Sequence, residues 1–404
     1  MASTRIVVLG AGLQGTCVAL ALAHRGHPVT LIEALQSPLQ ASSLRNEGKI
    51  HLGFVYALDQ SGRTQHKMLE GALSFSPLLD RWCGELPWQE WRSDAFHYAV
   101  MPDSIATIEE LEHSYETLRN KVSDFSQHEL CKPSYLGQQL TWLWRRSPES
   151  NLAQFNQELN LTGLIQTQEL AIDPLQLSTR LGQQLNSHPI IEIRYGVGVE
   201  GAERRNGGFR LHLNSNGAAE ILDADLVANC TWSDRVRIDA TLGIPYDPST
   251  LCYRVKHSIM ARQKPNSRPL IPVTMVQGPY GDVVPRRNRQ IYISWYPECR
   301  TYFGKLPPRQ SFEDTQTAQA VAERSLAALQ KILPGLRNAS IVSSAAGVIV
   351  AQGSTDIEDP QSTLHRRDHF GATTYEGWWT VDTGKLTNAP QLGEITAAEM
   401  CRAI

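Results

Sequence analysis

A short apolar run, Val7-Val8-Leu9, opens into Gly10-Ala11-Gly12-Leu13-Gln14-Gly15, and a second run, Val29-Thr30-Leu31-Ile32, ends in Glu33. This G-x-G-x-x-G constrains the fold more than any other feature, because each glycine has a mechanical task. Gly10 permits the tight turn out of the strand, and Gly12 leaves room for a pyrophosphate to approach the backbone. Gly15 lets the following helix pack closely on the strand. The alanine-rich stretch 16–25 reads as that helix, and its N-terminus offers backbone N–H groups and a positive dipole end to phosphate. Glu33, 23 positions after Gly10, stands where a carboxylate accepts hydrogen bonds from an adenosine ribose. Strand, helix and acid in register predict a βαβ unit that holds an ADP-containing dinucleotide through Gly10, Gly12, Leu13, Gln14, Gly15 and Glu33.

A chain of 404 residues is too long for one ordinary domain and predicts two or three. A net charge of −3 gives no electrostatic footprint for nucleic acid. Residues 5–9 run straight into glycines, so the N-terminus reads as a strand and not as a secretory leader. No apolar run reaches the roughly 18 residues of a spanning helix. The seven cysteines are scattered and form no C-x-x-C pair, which predicts free thiols in a reducing compartment and a cytoplasmic protein. The histidines lack metal-ligand spacing, so no metal is expected.

Composition shifts mark the organisation. Residues 81–150 hold Trp82, Trp88, Trp91, Trp142 and Trp144, a cluster that reads either as core or as a lid over a ring system. Glu169-Leu170-Ala171-Ile172-Asp173-Pro174 leads into a helix over 175–185. Strands are predicted at 190–195, 197–203, 209–214 and 224–228, the last returning the chain to the nucleotide sheet through Asn229-Cys230-Thr231-Trp232. Residues 250–305 read as antiparallel strands at 255–261, 271–277, 282–285 and 290–295. A helix over 312–333 stops at Pro334. A strand over 378–381 precedes Gly384-Lys385-Leu386-Thr387-Asn388-Ala389-Pro390, which opens a last helix with Thr387 or Asn388 as cap.

Four separated pieces together resemble the D-amino-acid oxidase superfamily of FAD enzymes. They are the N-terminal motif, the stretch from Ala41-Ser42-Ser43 to His51-Leu52-Gly53, the Ile172-Asp173-Pro174 turn, and the segment 384–394. Asn46-x-Gly48-x-Ile50-His51-x-Gly53 is similar to L-2-hydroxyglutarate oxidases. Gly384-Lys385-Leu386-Thr387 and Arg254-Val255-Lys256-His257-Ser258 are similar to aerobic glycerol-3-phosphate dehydrogenases. The latter branch carries an arginine that binds the substrate anion, and a proline, just after the glycine corresponding to Gly347. Here Val348-Ile349-Val350 follows instead, so glycerol phosphate is not carried over as substrate.

The resemblance implies an α/β fold: a discontinuous, doubly wound FAD-binding domain (1–80, 150–245 and 340–404) and a smaller, mainly antiparallel substrate domain (81–149 and 246–339). It implies FAD as cofactor and removal of a hydride from a carbon bearing OH or NH in a small polar substrate, with oxygen or a quinone as electron acceptor. Such chemistry needs no protein nucleophile; it needs the substrate carbon held near flavin N5 and charge stabilised at the N1–C2=O end of the reduced ring. Gly384, Lys385, Leu386 and Thr387 stand where the superfamily places that stabilising helix start, and Ser42 and Ser43 suit phosphate contacts. His51 reads as a flavin contact, a proton acceptor, a point of covalent flavin attachment or a non-catalytic histidine. Arg254 reads as an anion clamp or a surface strand residue, because guanidinium forks match carboxylates and phosphates. Lys385 reads as a fixed cation near flavin or substrate, or as a solvated lysine. Tyr253, Tyr280 and Tyr292 read as packing residues or a substrate lining, and Arg286 and Arg287 as solvated turn charges. Alternatives are a monooxygenase with a nicotinamide reductant, an NAD-linked dehydrogenase, and a flavin-binding protein without turnover.

Overall fold

In the computed structural model, which describes residues 4–128, 134–308 and 314–404, the first βαβ unit forms as its glycines demand. Strand Ile6–Leu9 lies parallel between Val29–Glu33 and Leu226–Asn229. Ile191–Tyr195 adds beyond Val29–Glu33, and Trp378–Asp382 adds beside Leu226–Asn229, both parallel. Antiparallel Gly371–Tyr375 closes this six-stranded sheet. Ile6–Leu9 and Leu226–Asn229 are buried throughout, which is why they read as continuous apolar runs without alternation.

Both faces are covered. Helix Leu13–His24 is buried at every residue but His24, and it packs on the last helix, Ala389–Arg402. The approach is close: a Cβ on Gly393 would lie 2.7 Å from that of Cys17. The opposite face carries a three-stranded antiparallel sheet, Val197–Arg205, Gly208–Ser215 and Ala218–Ala224, whose Phe209, Leu211 and Leu213 pack with Val7, Leu9, Ile32 and Trp378.

The second sheet is mainly antiparallel and has nine strands. Its order runs Arg300–Gly304, Leu251–Gln263, Gln290–Trp295, Gly281–Pro285, Val273–Val276, His97–Val100, Gly163–Thr167 and Trp144–Arg146, and Ala339–Gln352 also pairs with Leu251–Gln263. Helix Thr315–Ile332 packs on this sheet through Val321, Ala322 and Leu329; the expected start at Phe312 lies outside the described residues. Gly163–Thr167 and Ala339–Gln352 belong to this sheet, although the sequence boundaries put both with the nucleotide half.

The 14-residue strand Ala339–Gln352 was not expected. Its Ser-Ser-Ala-Ala-Gly centre has little strand propensity, and it is extended because it pairs along the whole of Leu251–Gln263. The tryptophan cluster divides: Trp82 and Trp88 are core, Trp91 and Trp144 pack at its edge, and Trp142 lies half-buried beneath Arg145. Among the described residues no helix is long and apolar enough to cross a membrane.

Candidate active site

The loop 41–53 runs between the two sheets and is tied to both. Ser42 Oγ donates to the Val348 carbonyl (2.8 Å), and Lys49 pairs with Asp282 (2.9 Å) in the antiparallel sheet. The His51 N–H donates to Thr387 Oγ1 (2.8 Å) in front of the last helix. Whatever lies between nucleotide motif and second sheet must pass this loop.

On the nucleotide side, Gly10 has φ +87°, and a Cβ there would sit 3.0 Å from the Cys230 carbonyl oxygen. A Cβ on Gly15 would come within 1.8 Å of the Gly10 oxygen, so no side chain is possible. Gly12 differs. Its Cβ would meet only Ser43 Oγ, at 3.4 Å, which leaves the space before the helix N-terminus open for a phosphate. The Leu13 N–H donates to Ser43 Oγ (2.9 Å), and Gln14 Nε2 donates to the Ala389 carbonyl (3.3 Å), joining the first turns of two helices. Glu33 accepts from the Ala11 and Leu35 N–H groups (2.7 and 2.8 Å), while burial makes its carboxyl easier to protonate. The structure thus brings Gly10, Gly12, Leu13, Gln14, Gly15, Glu33 and Ser43 together around one open space before the first helix. Ser42 binds Val348 and ties the loop instead.

At the C-terminal side Gly384 has φ +64°, and a Cβ there would strike the Phe370 ring at 2.7 Å. Of the two expected caps, Asn388 takes the cap position but makes no side-chain capping bond. Thr387 holds the His51 backbone, and Asn388 Nδ2 donates to the Lys67 carbonyl (3.1 Å), so the helix begins at Ala389 without a side-chain cap. The Asn388 and Ala389 N–H groups are taken by the Lys385 and Leu386 carbonyls and Pro390 has none, so what this helix start offers a ligand is its positive dipole end. Lys385 is not a solvated lysine: burial, then Arg367, Lys256 and Arg254, push its pKa down to about 7, with Glu47 opposing. Lys385, Arg367 and Glu47 are enclosed by protein yet keep part of their surface open, as residues lining an internal cleft do. A cavity of about 340 Å³ bounded by Arg63, Val350, Arg367, Asp382 and Gly384 reaches this region from outside.

His51 is 4% exposed and stands between two carboxylates, with Nε2 3.8 Å from Glu47 and Nδ1 3.7 Å from Glu169. Burial lowers its proton affinity, and Lys385 and Lys49 add to this against the pull of Glu169. Glu169 had no role in the sequence reading. It is wholly buried, accepting from the Leu52 N–H (2.6 Å) and the Tyr98 hydroxyl. Burial alone would favour its protonation, but His51, Lys49 and Tyr98 outweigh that and hold it below the usual carboxylate range. The available signal was an acid beside the apolar run Leu170-Ala171-Ile172.

Arg254 is 3% exposed, which rules out a surface strand residue. It donates to Tyr296 OH (2.8 Å) and lies 3.4 Å from Asp356, while its Nε and Nη2 are buried without a partner. Lys256 follows two residues later on the same face, paired in register with Gly347. Val348 packs with Leu251, Tyr253 and Val350, so the position after Gly347 faces an apolar cluster and not an anion. The buried, unpartnered Tyr56 hydroxyl connects the groups: its ring meets His51 edge-on at 6.0 Å, and it feels both the cations Arg367 and Arg254 and the acids Glu169 and Glu47.

Arg286 is not a solvated turn charge. Its side chain is 11% exposed, pairs with Asp173 (3.2 Å) and donates to the carbonyls of Asn46 and Glu47 (3.5 and 3.4 Å). The hairpin carrying it folds back onto the 41–53 loop, which local composition does not reveal. Arg287 is exposed, and Tyr253, Tyr280 and Tyr292 are buried.

A family model described as FAD dependent oxidoreductase (DAO) matches residues 5–399. The chain belongs to this family. FAD is therefore its cofactor, and the open cradle before Gly12 fits the ADP half of that molecule. Over the whole chain the fold is similar to glycine oxidase from Geobacillus kaustophilus (TM-score 0.69, 15% identity, 100% of this chain and 95% of that one). It is similar, too, to L-proline dehydrogenase from P. horikoshii (0.67, 14%, 99% and 94%). A third is L-α-glycerophosphate oxidase from Mycoplasma pneumoniae, solved with FAD bound (0.64, 16%, 100% and 95%). Among curated proteins, D-amino acid dehydrogenase 2 of Ralstonia nicotianae is 34% identical over 87 residues, covering 19% of this chain and 20% of that protein.

Proposed function

We propose that this oxidoreductase acts on a small anionic substrate that carries a hydroxyl or amino group on the carbon to be oxidised. The observation that carries this reading is Arg254, a buried guanidinium with two unpartnered nitrogens beside the cleft that Lys385, Arg367 and Glu47 line. Asp356 offsets part of its charge, but two buried N–H groups left without an acceptor are costly unless a ligand completes them. Arg254, with Lys256 and Arg367 nearby, binds the substrate's carboxylate or phosphate and orients the reacting carbon. His51 accepts the proton of the O–H or N–H as the hydrogen on carbon departs, and its low proton affinity keeps it neutral and ready near pH 7. When bound, FAD supplies the acceptor for the two electrons and that hydrogen. Gly10, Gly12, Leu13, Gln14, Gly15, Glu33 and Ser43 hold its ADP half, and Gly384, Lys385, Leu386 and Thr387 border its ring. The uncapped first turn of Ala389–Arg402 and Lys385 stabilise negative charge there.

Oxygen or a quinone takes the electrons onward, and the free cysteines, none in a disulfide among the described residues, support a cytoplasmic protein. The test is anaerobic bleaching of the purified yellow protein across 2-hydroxy acids, amino acids, neutral amines and polyol phosphates. Bleaching by an acid or phosphate and by no neutral amine is expected. Selective bleaching by neutral amines would overturn the anionic class.

A further inference from the structure

The buried carboxylate of Glu169 lies apart from the residues around Gly12, and besides His51 the cation that acts on it is Lys49. We infer that Glu169 is the positioning residue of His51: it takes the ring's Nδ1–H, and so leaves Nε2 as the atom that accepts the substrate proton. This inference rests on the reading of His51 as proton acceptor.

Three observations carry it. First, His51 Nδ1 is buried with no hydrogen-bond partner, and the Glu169 oxygen 3.7 Å away is the carboxylate on that side of the ring. A modest ring rotation closes the gap, and hydrogen bonds in such sites shorten when substrate packs the ring. Second, Glu169 cannot move away. The Leu52 N–H holds one oxygen at 2.6 Å and the Tyr98 hydroxyl holds the other, so the carboxylate is fixed from a strand and a turn of different elements. Third, the two acids beside His51 are unequal. Glu169 is 0% exposed, whereas the Glu47 side chain opposite Nε2 keeps 18% open at the cleft and can give way to substrate. The other groups that face the ring are Lys385 from the turn before the last helix, Lys49 from the same loop, and the Tyr56 hydroxyl. Both lysines oppose a proton on His51, so Glu169 is the partner that offsets them and keeps the ring a usable base.

Rapid anaerobic reduction of the FAD-loaded enzyme over a pH series separates positioning from simple support. Glu169→Gln keeps an acceptor oxygen for the Leu52 N–H and turns its NH2 toward the Tyr98 hydroxyl, which can accept from it, but loses the charge. It should purify with normal flavin content and a KM within about twofold of wild type, while the limiting reduction rate falls at least tenfold and its acid limb moves to lower pH. Tyr98→Phe has the opposite sign: it frees Glu169 from a donor, strengthens its hold on His51, and should move the acid limb to higher pH. A purely structural role would shift neither limb. If Glu169→Gln fails to fold, the Tyr98→Phe limb decides alone. Wild-type rate and limb in these variants, while His51→Gln loses at least a hundredfold, would overturn the role of Glu169 and leave His51 as acceptor. A His51→Gln enzyme that reduces at the wild-type rate would instead overturn the proton-acceptor reading itself.

Discussion

Replacing Arg254 with methionine keeps the length and apolar stem of the side chain and removes the guanidinium. The effect on the fold can be judged from its partner. Asp356 loses a contact at 3.4 Å but keeps Arg300 at 2.6 Å, the Tyr296 hydroxyl at 2.7 Å and the Ile357 N–H at 2.8 Å. It is not orphaned. Two buried guanidinium nitrogens without partners also disappear, so the change in stability should stay within about 1 kcal/mol of zero. Substrate binding loses its fork directly, with Lys256 and Arg367 left as the nearby cations. Truncating one side of a buried charge-assisted contact costs about 2–5 kcal/mol, or roughly 30-fold to several-thousand-fold in affinity at 1.4 kcal/mol per decade. Stopped-flow reduction should therefore show a higher apparent dissociation constant for substrate, with flavin content and melting temperature near wild type. Arg254→Lys, which keeps charge without the fork, should fall between. Arg262→Ala, exposed on the same strand, should be silent. A substrate constant within twofold of wild type in a fully flavinylated Arg254→Met enzyme would refute the clamp.

Gly12→Val should fold, because its Cβ meets only Ser43 Oγ at 3.4 Å, yet purify colourless; a variant with full flavin sinks the cradle assignment. Lys385→Met should lower the flavin midpoint potential, and a titration that overlays wild type would remove Lys385 from the ring. Arg286→Ala breaks a largely buried pair with Asp173 and should cost on the order of 2–3 kcal/mol, a little below fully buried pairs; an unchanged melting curve would show that the pair is idle. Lys385 should also make binding of an unreactive carboxylate inhibitor take up a proton. Its pKa of about 7 rises when an anion arrives, so affinity falls as pH rises through 7, by at most about one decade per unit. Calorimetry in buffers of different ionisation heat checks this, and equal proton uptake in wild type and Lys385→Met would assign the proton elsewhere.

The nucleotide half was legible because its residues are chosen by geometry that no neighbour can override. Gly15 admits no side chain beside Gly10, and Gly10 sits at positive φ, so the pattern survives in the sequence. Gly384 stands at a positive φ that favours glycine, and the motif around His51 marked that residue while leaving its role among four readings. What the sequence hid was burial. Arg254 alternates with Tyr253 and Val255 as a solvent-facing strand residue would, and Arg286 opens a polar run, so only the pairing of Leu251–Gln263 with Ala339–Gln352 and the fold-back onto Asn46 and Glu47 put them inside. Asn388 stands at the cap of the last helix as expected, but the loss of side-chain capping was hidden, because Thr387 and Asn388 bond to segments more than 300 positions away. Glu169 was passed over because one acid beside an apolar run carries no periodic signature, and its partners come from two other parts of the chain.

The charges of the cleft join these findings. Arg254, Lys256, Arg367 and Lys385 converge, while two of the nearby acids are already engaged, Asp282 by Lys49 and Asp356 by Arg300. Burial first, and then these neighbouring cations, lower the proton affinity of Lys385 to a pKa of about 7, with Glu47 opposing. Two anions suit such a site, the acidic group of a substrate and the charge that grows on the reduced flavin ring. They arrive at different moments, one on binding and one during reduction. A cation that is half-protonated near pH 7 can answer either by taking up a proton, whereas the arginines stay charged throughout. Arg254 is thus suited to recognition, and Lys385 to the charge that forms as the reaction proceeds.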